Sequence, residues 1–367
     1  MARYIHELKE WPAFKWKHND LILPLSEVRH KQGRLLGKLE GLGFRLREEA
    51  VLETLTQDVI KSSEIEGEKL PVDQVRSSIA KRLGIEIAGE VTANRHVEGV
   101  VEMMLDATQN HDQPLTDERL FGWHAALFPT GRSGLHKIEV GVWRSDANGP
   151  MQVVSGALGK ERVHYEAPEA SLVEDEMSKF LQWFNEPSKM DPVLKAAMAH
   201  LWFVTIHPFD DGNGRIARAI ADMQLARADG SRQRFYSMSA QMQRDRNAYY
   251  DKLEKTQKGS LDITSWLVWF FECLDRAISL SEENLSGVIR KAKFWEMHQA
   301  TALNERQRSI LNKLMDGFEG KLTSSKWAKI AKCSPDTALR DIQDLIEKGM
   351  LEKEEGGGRS TSYRIKN

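Results

Sequence analysis

The stretch Pro192–Ile206 limits what this chain can fold into more than any other. It is apolar on nearly every side, so as a helix it has no solvent face and must lie inside a shell of other elements. Asp191 supplies its N-cap, and Pro192 fits the first helical position, where a backbone N–H would have no partner. Directly after it comes His207-Pro208-Phe209-Asp210-Asp211-Gly212-Asn213-Gly214-Arg215-Ile216-Ala217-Arg218. Arg215–Ala228 reads as a second helix, with Ile216, Ala219, Ile220 and Met223 on one face and Gly230 closing it. The polar stretch is therefore a loop that opens a helix N-terminus. Unpaired N–H groups and the positive end of the helix dipole meet there and make an anion site.

Composition narrows the class. The 367 residues can hold two or three domains, and 41% hydrophobic with 29% charged content is that of a soluble globular protein. A formal charge of −2 gives no global attraction to nucleic acid or membrane, so any such binding must be local. The apolar runs Leu201–Ile206 and Trp266–Phe271 are too short to span a bilayer. Met1–Phe14 mixes charge with aromatics and does not read as a signal peptide. Cys273 and Cys333 stand far apart in no metal-ligand spacing, which argues for a reducing cytoplasm.

The pattern along the chain is mainly α. An aromatic opening (Trp11, Phe14, Trp16) precedes a helix near Leu25–Leu42. A second helix over 46–65 carries Val51, Leu52, Leu55, Val59 and Ile60 at helical spacing. Helices follow at Val72–Leu83, Asn94–Ala107 and Thr116–Phe128, with Thr116 as N-cap. Val153-Val154 and Val163-His164-Tyr165 are short β-type runs on either side of Ser155–Arg162 and predict a β-hairpin. Helices resume at Ser171–Asn185 and run to about Arg290. Residues 300–367 read as three short helices (Glu305–Met315, Ser324–Ala331, Ser334–Lys348). A strand entered at Lys348–Lys353, a tip at Gly356-Gly357-Gly358 and a return at Ser362–Ile365 follow, which is the pattern of a winged helix. The expected division is 1–92, 93–292 and 300–367.

Each residue type in the loop suits chemistry on a phosphate. His207 titrates near working pH and can take a proton from an attacking hydroxyl. Asp211 is a hard oxygen ligand suited to Mg²⁺. Gly212 and Gly214 let the backbone approach a phosphate, and Asn213 adds an NH₂ donor. Arg215 can neutralise charge on α- and β-phosphates. Arg218, one turn on, would reach the γ-phosphate. Two arginines in a first helical turn oppose the dipole, which disfavours them as surface decoration.

This loop resembles the signature of the Fic family, His-Pro-Phe-x-(Asp/Glu)-Gly-Asn-Gly-Arg-x-x-Arg, whose members transfer AMP from ATP to a protein hydroxyl. Every fixed position is matched. The resemblance implies a helical Fic-type core with a β-hairpin flap, and ATP as co-substrate with Mg²⁺. It implies that Val153, Val154, Ser155 and Gly156 form the flap edge, which holds a target peptide by main-chain pairing. Asn247-Ala248-Tyr249-Tyr250 resembles the family's adenine pocket, and Gln257 stands where members often carry Asn. Residues 1–83, with Trp11-Pro12-x-Phe14-x-Trp16, look like the helical N-terminal region of some bacterial Fic proteins. A homodimer is a further expectation from the family.

Ser62-Ser63-Glu64-Ile65-Glu66-Gly67 resembles the family's inhibitory motif, (Ser/Thr)-x-x-x-Glu-(Gly/Asn). On that resemblance Ser62, Glu66 and Gly67 form a brake, with Glu66 paired to Arg218 in place of the γ-phosphate. In some members the same glutamate positions a water that removes AMP, so the reverse reaction stays open. A third reading is a DNA-binding regulator whose Fic core senses nucleotide. For that reading Thr337 and Arg340 would meet base edges, and Lys329, Lys332, Arg359 and Arg364 would meet phosphate. Asp336, Asp341, Asp344, Glu352, Glu354 and Glu355 count against it, and winged helices also dock proteins. One branch of the family transfers phosphocholine; the intact Arg215 and Arg218 suit a triphosphate instead.

Overall fold

The computed structural model describes residues 3–41, 43–87, 89–147, 149–156, 160–315, 318, 320–354 and 361–366. Two compact units divide between Ser281 and Glu282. No helix among the described residues is long and apolar enough to cross a membrane.

The first unit opens with α1 (His18–Glu40), α2 (Phe44–Ile65), α3 (Val72–Leu83), α4 (Arg95–Gln109) and α5 (Asp117–Leu127). Side chains start two of these helices: Asn94 accepts from Val97 N and Thr116 from Arg119 N, satisfying first-turn donors. The first helix begins earlier than the sequence reading, which started it after Pro24. Pro24 lies inside α1, and burial of Leu21 and Val28 outweighs the backbone hydrogen bond that proline forfeits. The far end of that expected helix, Leu42, lies outside the described residues.

Two antiparallel hairpins follow. The first, β1 (Arg132–Ser133) with β2 (His136–Lys137), was not foreseen; strands of two residues carry no period to read. The second, β3 (Gln152–Ser155) with β4 (Arg162–Glu166), pairs Val153 with Tyr165 and Ser155 with Arg162. Its register shifts between Val153 and Val154. The outer edges of this pair carry no further strand among the described residues.

Next come α6 (Val173–Asn185), α7 (Pro192–Ile206), α8 (Asn213–Asp229), α9 (Met238–Arg244) and α10 (Arg246–Gln257). The long α11 (Thr264–Met297) then leads out of the unit. Every residue of α7 from Val193 to Ile206 is buried, as its all-round apolar sequence requires. Asp191 caps it at Val193 N. Trp266 of α11 is fully buried against α7 and donates its indole N–H to the Ala197 carbonyl at 2.8 Å. α8 packs along α7 more extensively than any other pair of elements.

A buried polar network ties α2 to the segment around α8. Arg234 donates to Asp222 at 2.9 Å and to Asp229 at 3.0 Å, while Asp58 of α2 accepts from the Ser237 hydroxyl and Ser239 N. Burial and the neighbouring Asp222 carboxylate hold the Asp58 carboxyl far above its ordinary range.

The second unit contains α12 (Glu305–Met315), α13 (Ser324–Ala331), α14 (Pro335–Glu347), β5 (Leu351–Lys353) and β6 (Tyr363–Ile365). Three helices and a hairpin enclose Ile310, Leu311, Trp327, Ile342, Leu345 and Leu351. Thr323 and Ser334 cap α13 and α14. Asp341 and Asp344, weighed against nucleic-acid binding in the sequence, are spent internally: Asp341 on Asn304 and Arg306, Asp344 on Gln307 and Lys348. Arg364 is likewise paired with Glu352. Gly356-Gly357-Gly358, Glu355 and Arg359 lie outside the described residues.

Candidate active site

His207 terminates α7 in the left-handed region, φ 54 and ψ 56. For a residue with a side chain that conformation costs about 1–2 kcal/mol. Arg144 supports it, donating its backbone N–H to the Pro208 carbonyl at 2.9 Å and Nε to the His207 carbonyl at 2.8 Å. Arg144 was missed in the sequence, because nothing in Val142-Trp143-Arg144 marks an arginine that turns inward to a backbone.

The turn fixes the imidazole as well. His207 Nδ1 lies 3.1 Å from the Val204 carbonyl. A carbonyl only accepts, so Nδ1 carries the proton and Nε2 keeps its lone pair. Enclosure by the surrounding protein lowers the His207 pKa from 6.5, with Arg144 adding to the effect. The neutral form is thus favoured, and the accepting nitrogen is the one that α7 does not engage.

The loop begins its helix two residues earlier than the sequence suggested, since α8 starts at Asn213 with Gly212 as a left-handed cap at φ 80. Asn213 departs from the expectation of a free donor. Its Nδ2 donates to the Phe209 carbonyl at 2.7 Å and its Oδ1 accepts from Phe209 N at 3.0 Å, so the amide holds the loop closed. Phe209 stacks on His124 with ring centroids 4.2 Å apart, and burial holds His124 down to about 4. The Asp211 carboxylate accepts from Gly212 N and from the Ser133 hydroxyl on the unforeseen hairpin. Glu139 N donates to Asp210 at 2.9 Å.

Arg215 and Arg218 point from the first turns of α8 toward the end of α2. Arg218, 2% exposed, donates Nε to Ser62 Oγ at 2.9 Å, and Nη2 to the Ser62 carbonyl at 2.8 Å and to Glu66 Oε1 at 2.7 Å. Arg215 donates Nη1 to Glu68 Oε2 at 3.0 Å, and its guanidinium lies over the Phe128 ring. His96 pairs with the other oxygen of Glu68 and is the leading cause of that carboxyl's lowered pKa. Glu68 and His96 were not singled out in the sequence.

A C-terminal cap presents both glutamates. Gly67 N donates to the Glu64 carbonyl and Glu68 N to the Ser63 carbonyl, each at 3.0 Å, with Gly67 at φ 84. This paired cap needs a left-handed residue, which glycine supplies without a Cβ clash. Arg246 Nε takes the Ile65 carbonyl at 2.8 Å, and the Tyr250 hydroxyl lies 3.3 Å from the same oxygen and 3.4 Å from Glu66 Oε2.

The remaining predicted residues surround this point. Tyr249 is 1% exposed, its hydroxyl 2.9 Å from His200 Nε2 and its ring stacked on Trp269. It is a core residue in this arrangement, unlike the half-buried Tyr250. Gln257 donates to the Val204 carbonyl at 3.4 Å and to Thr205 Oγ1 at 3.3 Å, at the base of the His207 turn. Val154 is exposed on the flap, and Gly156 at φ 112 approaches the Lys160 carbonyl too closely for a Cβ. The Tyr165 hydroxyl anchors the flap to the Thr205 carbonyl at 2.6 Å.

The Fic/DOC family profile matches residues 114–225, and a domain of unknown function (DUF4172) matches residues 4–85. The protein adenylyltransferase Fic of Culex quinquefasciatus is 37% identical over 106 residues, 28% of this chain and 20% of its own length. That of Nematostella vectensis is 26% identical over 240 residues, covering 62% and 49%. The chain thus spans about half or less of these curated relatives. Among solved structures, a Fic family protein from Desulfovibrio desulfuricans aligns over 96% of this chain and 97% of its own, with TM-score 0.52 and 19% identity. A Fic domain containing signaling protein from Bacteroides thetaiotaomicron aligns over 72% and 98%, with TM-score 0.53 and 20% identity. At those identities the likeness is one of fold. Residues 114–225, with the complete loop motif inside them, are thus identified as a Fic domain.

Proposed function

We propose that this chain is a protein adenylyltransferase held in check by Glu66. In the forward reaction a Ser, Thr or Tyr hydroxyl of a target loses its proton to His207 Nε2 and attacks the α-phosphorus of ATP, and diphosphate leaves. The observation that carries this reading is a neutral His207 with its Nε2 lone pair free, followed on the next helix by two inward-facing arginines. Arg215 and Arg218 stabilise phosphate charge in the transition state, and the first N–H groups of α8 add the positive end of its dipole. The relatives' shared name, protein adenylyltransferase Fic, agrees with this chemistry.

The donor set suits Mg²⁺ bound together with the nucleotide. Among the described residues no three His, Cys, Asp or Glu side chains gather as a metal cage, so Asp211 would supply one carboxylate and phosphate oxygens most of the rest. When bound, the ion would neutralise charge on the departing diphosphate.

The Glu66–Arg218 ion pair supports the brake. Arg218 cannot serve Glu66 and a γ-phosphate at once, so a nucleotide must displace the carboxylate or bind misaligned. Residues 300–367 we read as a winged helix, supported by their three helices and hairpin, with Thr337 and Arg340 near the start of α14.

Mass spectrometry after incubation with ATP and Mg²⁺ tests the whole reading. Glu66→Gly should raise AMP transfer, to the chain itself or to added protein, at least about tenfold, equal to removing about 1.4 kcal/mol of restraint. His207→Ala should abolish transfer to added protein in either background. Equal transfer by wild type and Glu66→Gly would end the brake, and transfer to added protein surviving His207→Ala would end the assignment of the base.

A further inference from the structure

The flap and α10 meet in a cluster that the reaction above does not use. Ser155 lies at the exposed end of β3, paired in register with Arg162 of β4. Its Oγ is 2.5 Å from His164 Nε2, and His164 Nδ1 is 2.6 Å from Glu254 Oε2. Glu254 also receives Arg162 at 2.9 Å and Lys258 at 2.7 Å. Burial opposes ionisation of Glu254, but hydrogen bonds from Lys258, His164 and Arg162 overcome it and hold the carboxyl down at about 2. An ionised carboxylate only accepts, so His164 carries its proton on Nδ1 and turns the Nε2 lone pair to the Ser155 hydroxyl. This is the orienting logic of a serine–histidine–carboxylate relay, in which the acid fixes the tautomer and the imidazole takes the proton.

Its position indicates the electrophile. Glu254 follows Tyr250 by one turn on the same face of α10, and the Tyr250 hydroxyl reaches Glu66. Tyr165, on the same strand as His164, is bonded to Thr205, two residues before His207. The relay therefore stands one helical turn from Tyr250, and one residue along the strand from the anchor at Thr205. The Arg162 side chain, 70% exposed beside Ser155, offers positive charge to an incoming phosphate.

We propose that Ser155 is a modification site of this chain, accepting the nucleotidyl group of a nucleoside triphosphate bound in the neighbouring loop. The Oγ–P bond forms, the bond between the α-phosphorus and the bridging oxygen breaks, and diphosphate leaves. The hydroxyl proton passes to His164 Nε2 and then to solvent. This rests on the reading of the loop as a nucleotidyl-transfer site and adds an acceptor within the chain that has its own base. The adduct would load the flap edge on which an external target must pair, so self-transfer would limit transfer to others.

The test incubates the full chain and Glu66→Gly with ATP and Mg²⁺, alone and with soluble cell extract, and maps every AMP adduct by mass spectrometry. The expected result is an adduct on Ser155 that falls about a hundredfold in His164→Gly and partly returns with added imidazole. Imidazole can replace a base but not a packing contact. Adducts on extract proteins or elsewhere on the chain, with none on Ser155, overturn this inference and leave the transferase reading standing. Undiminished labelling of Ser155 in His164→Gly, or a loss that imidazole does not reverse, overturns the relay. No adduct anywhere removes both.

Discussion

Gly214 lies directly against Glu66: a Cβ on Gly214 would come within 2.2 Å of Glu66 Oε1 and 3.3 Å of Arg218 Nη1. Backbone freedom is not the reason for the glycine, since the residue is helical. The reason is space for a carboxylate in the resting chain, in the position where the proposed reaction needs a phosphate. Gly214→Ala should lower stability by about 1–3 kcal/mol by forcing Glu66 off Arg218. Combined with Glu66→Gly, the loss should shrink to less than half, because the clash has gone. Thermal unfolding of the four proteins of that cycle decides it; additive losses would mean that the alanine strains something else.

Arg215 has its own captor in Glu68, and His96 steadies that carboxylate from the other side. Releasing Arg218 alone leaves Arg215 engaged. Glu68→Gln should tighten ATP binding a few-fold, a modest gain because Glu68 is partly exposed and its ion pair is screened. In the Glu66→Gly background the same change should add a further gain. Calorimetric titration with ATP measures both, and unchanged affinity in both backgrounds would leave Glu68 a purely structural partner.

The lowered pKa of His207 fixes the acid side of the pH profile. Burial disfavours the imidazolium, so the accepting form persists below the ordinary histidine value of 6.5. For Glu66→Gly, transfer should stay on its plateau through neutrality and fall only with a midpoint below about 6.5. A midpoint above that value would contradict the enclosure of the ring.

Much of this site was legible because its parts are local. Asp191, Pro192 and the apolar run after them spell out α7, and the loop that follows is a contiguous motif. Ser62, Glu66 and Gly67 were found by resemblance, although their partner Arg218 is 152 residues away from Glu66. Glu68, His96, Arg144 and Ser133 act through single long-range contacts, and an isolated polar residue has no period or spacing to betray such a contact. Asn213 and Tyr249 were read by type as donor and stacking face. Their neighbours, the Phe209 carbonyl and the Trp269 ring, engage those same groups. The start of α1 was missed because a proline signal is local and the burial that overrides it is not.

Asp58 gives a pH-dependent stability with the opposite sign to an ordinary paired carboxylate. Its folded pKa is raised by burial and by Asp222, so the folded state favours the protonated form. That contribution is complete below the unfolded value of 3.8 and is lost as pH rises through the elevated folded value. Asp58→Asn, which removes the charge, should raise the melting temperature, and by more at about pH 8 than at about pH 5. Equal destabilisation at both pH values would show that the carboxylate is needed as such.

The residues that would carry the proposed brake also bound how it could be released. Val51, Leu52, Leu55, Val59, Ile60 and Ile65 of α2 are all at most 4% exposed. Lifting that helix away would expose six apolar side chains at about 1.5–3 kcal/mol each, comparable to the whole stability of a domain. That demand is matched only by very tight binding. For the proposed brake the less costly route of release is the last turn alone, at the cap made by Gly67 and the two hydrogen bonds from Arg246 and Tyr250. On the proposed reading the lever is one turn long, and fraying a single cap lies within the binding energy of an ordinary ligand or partner.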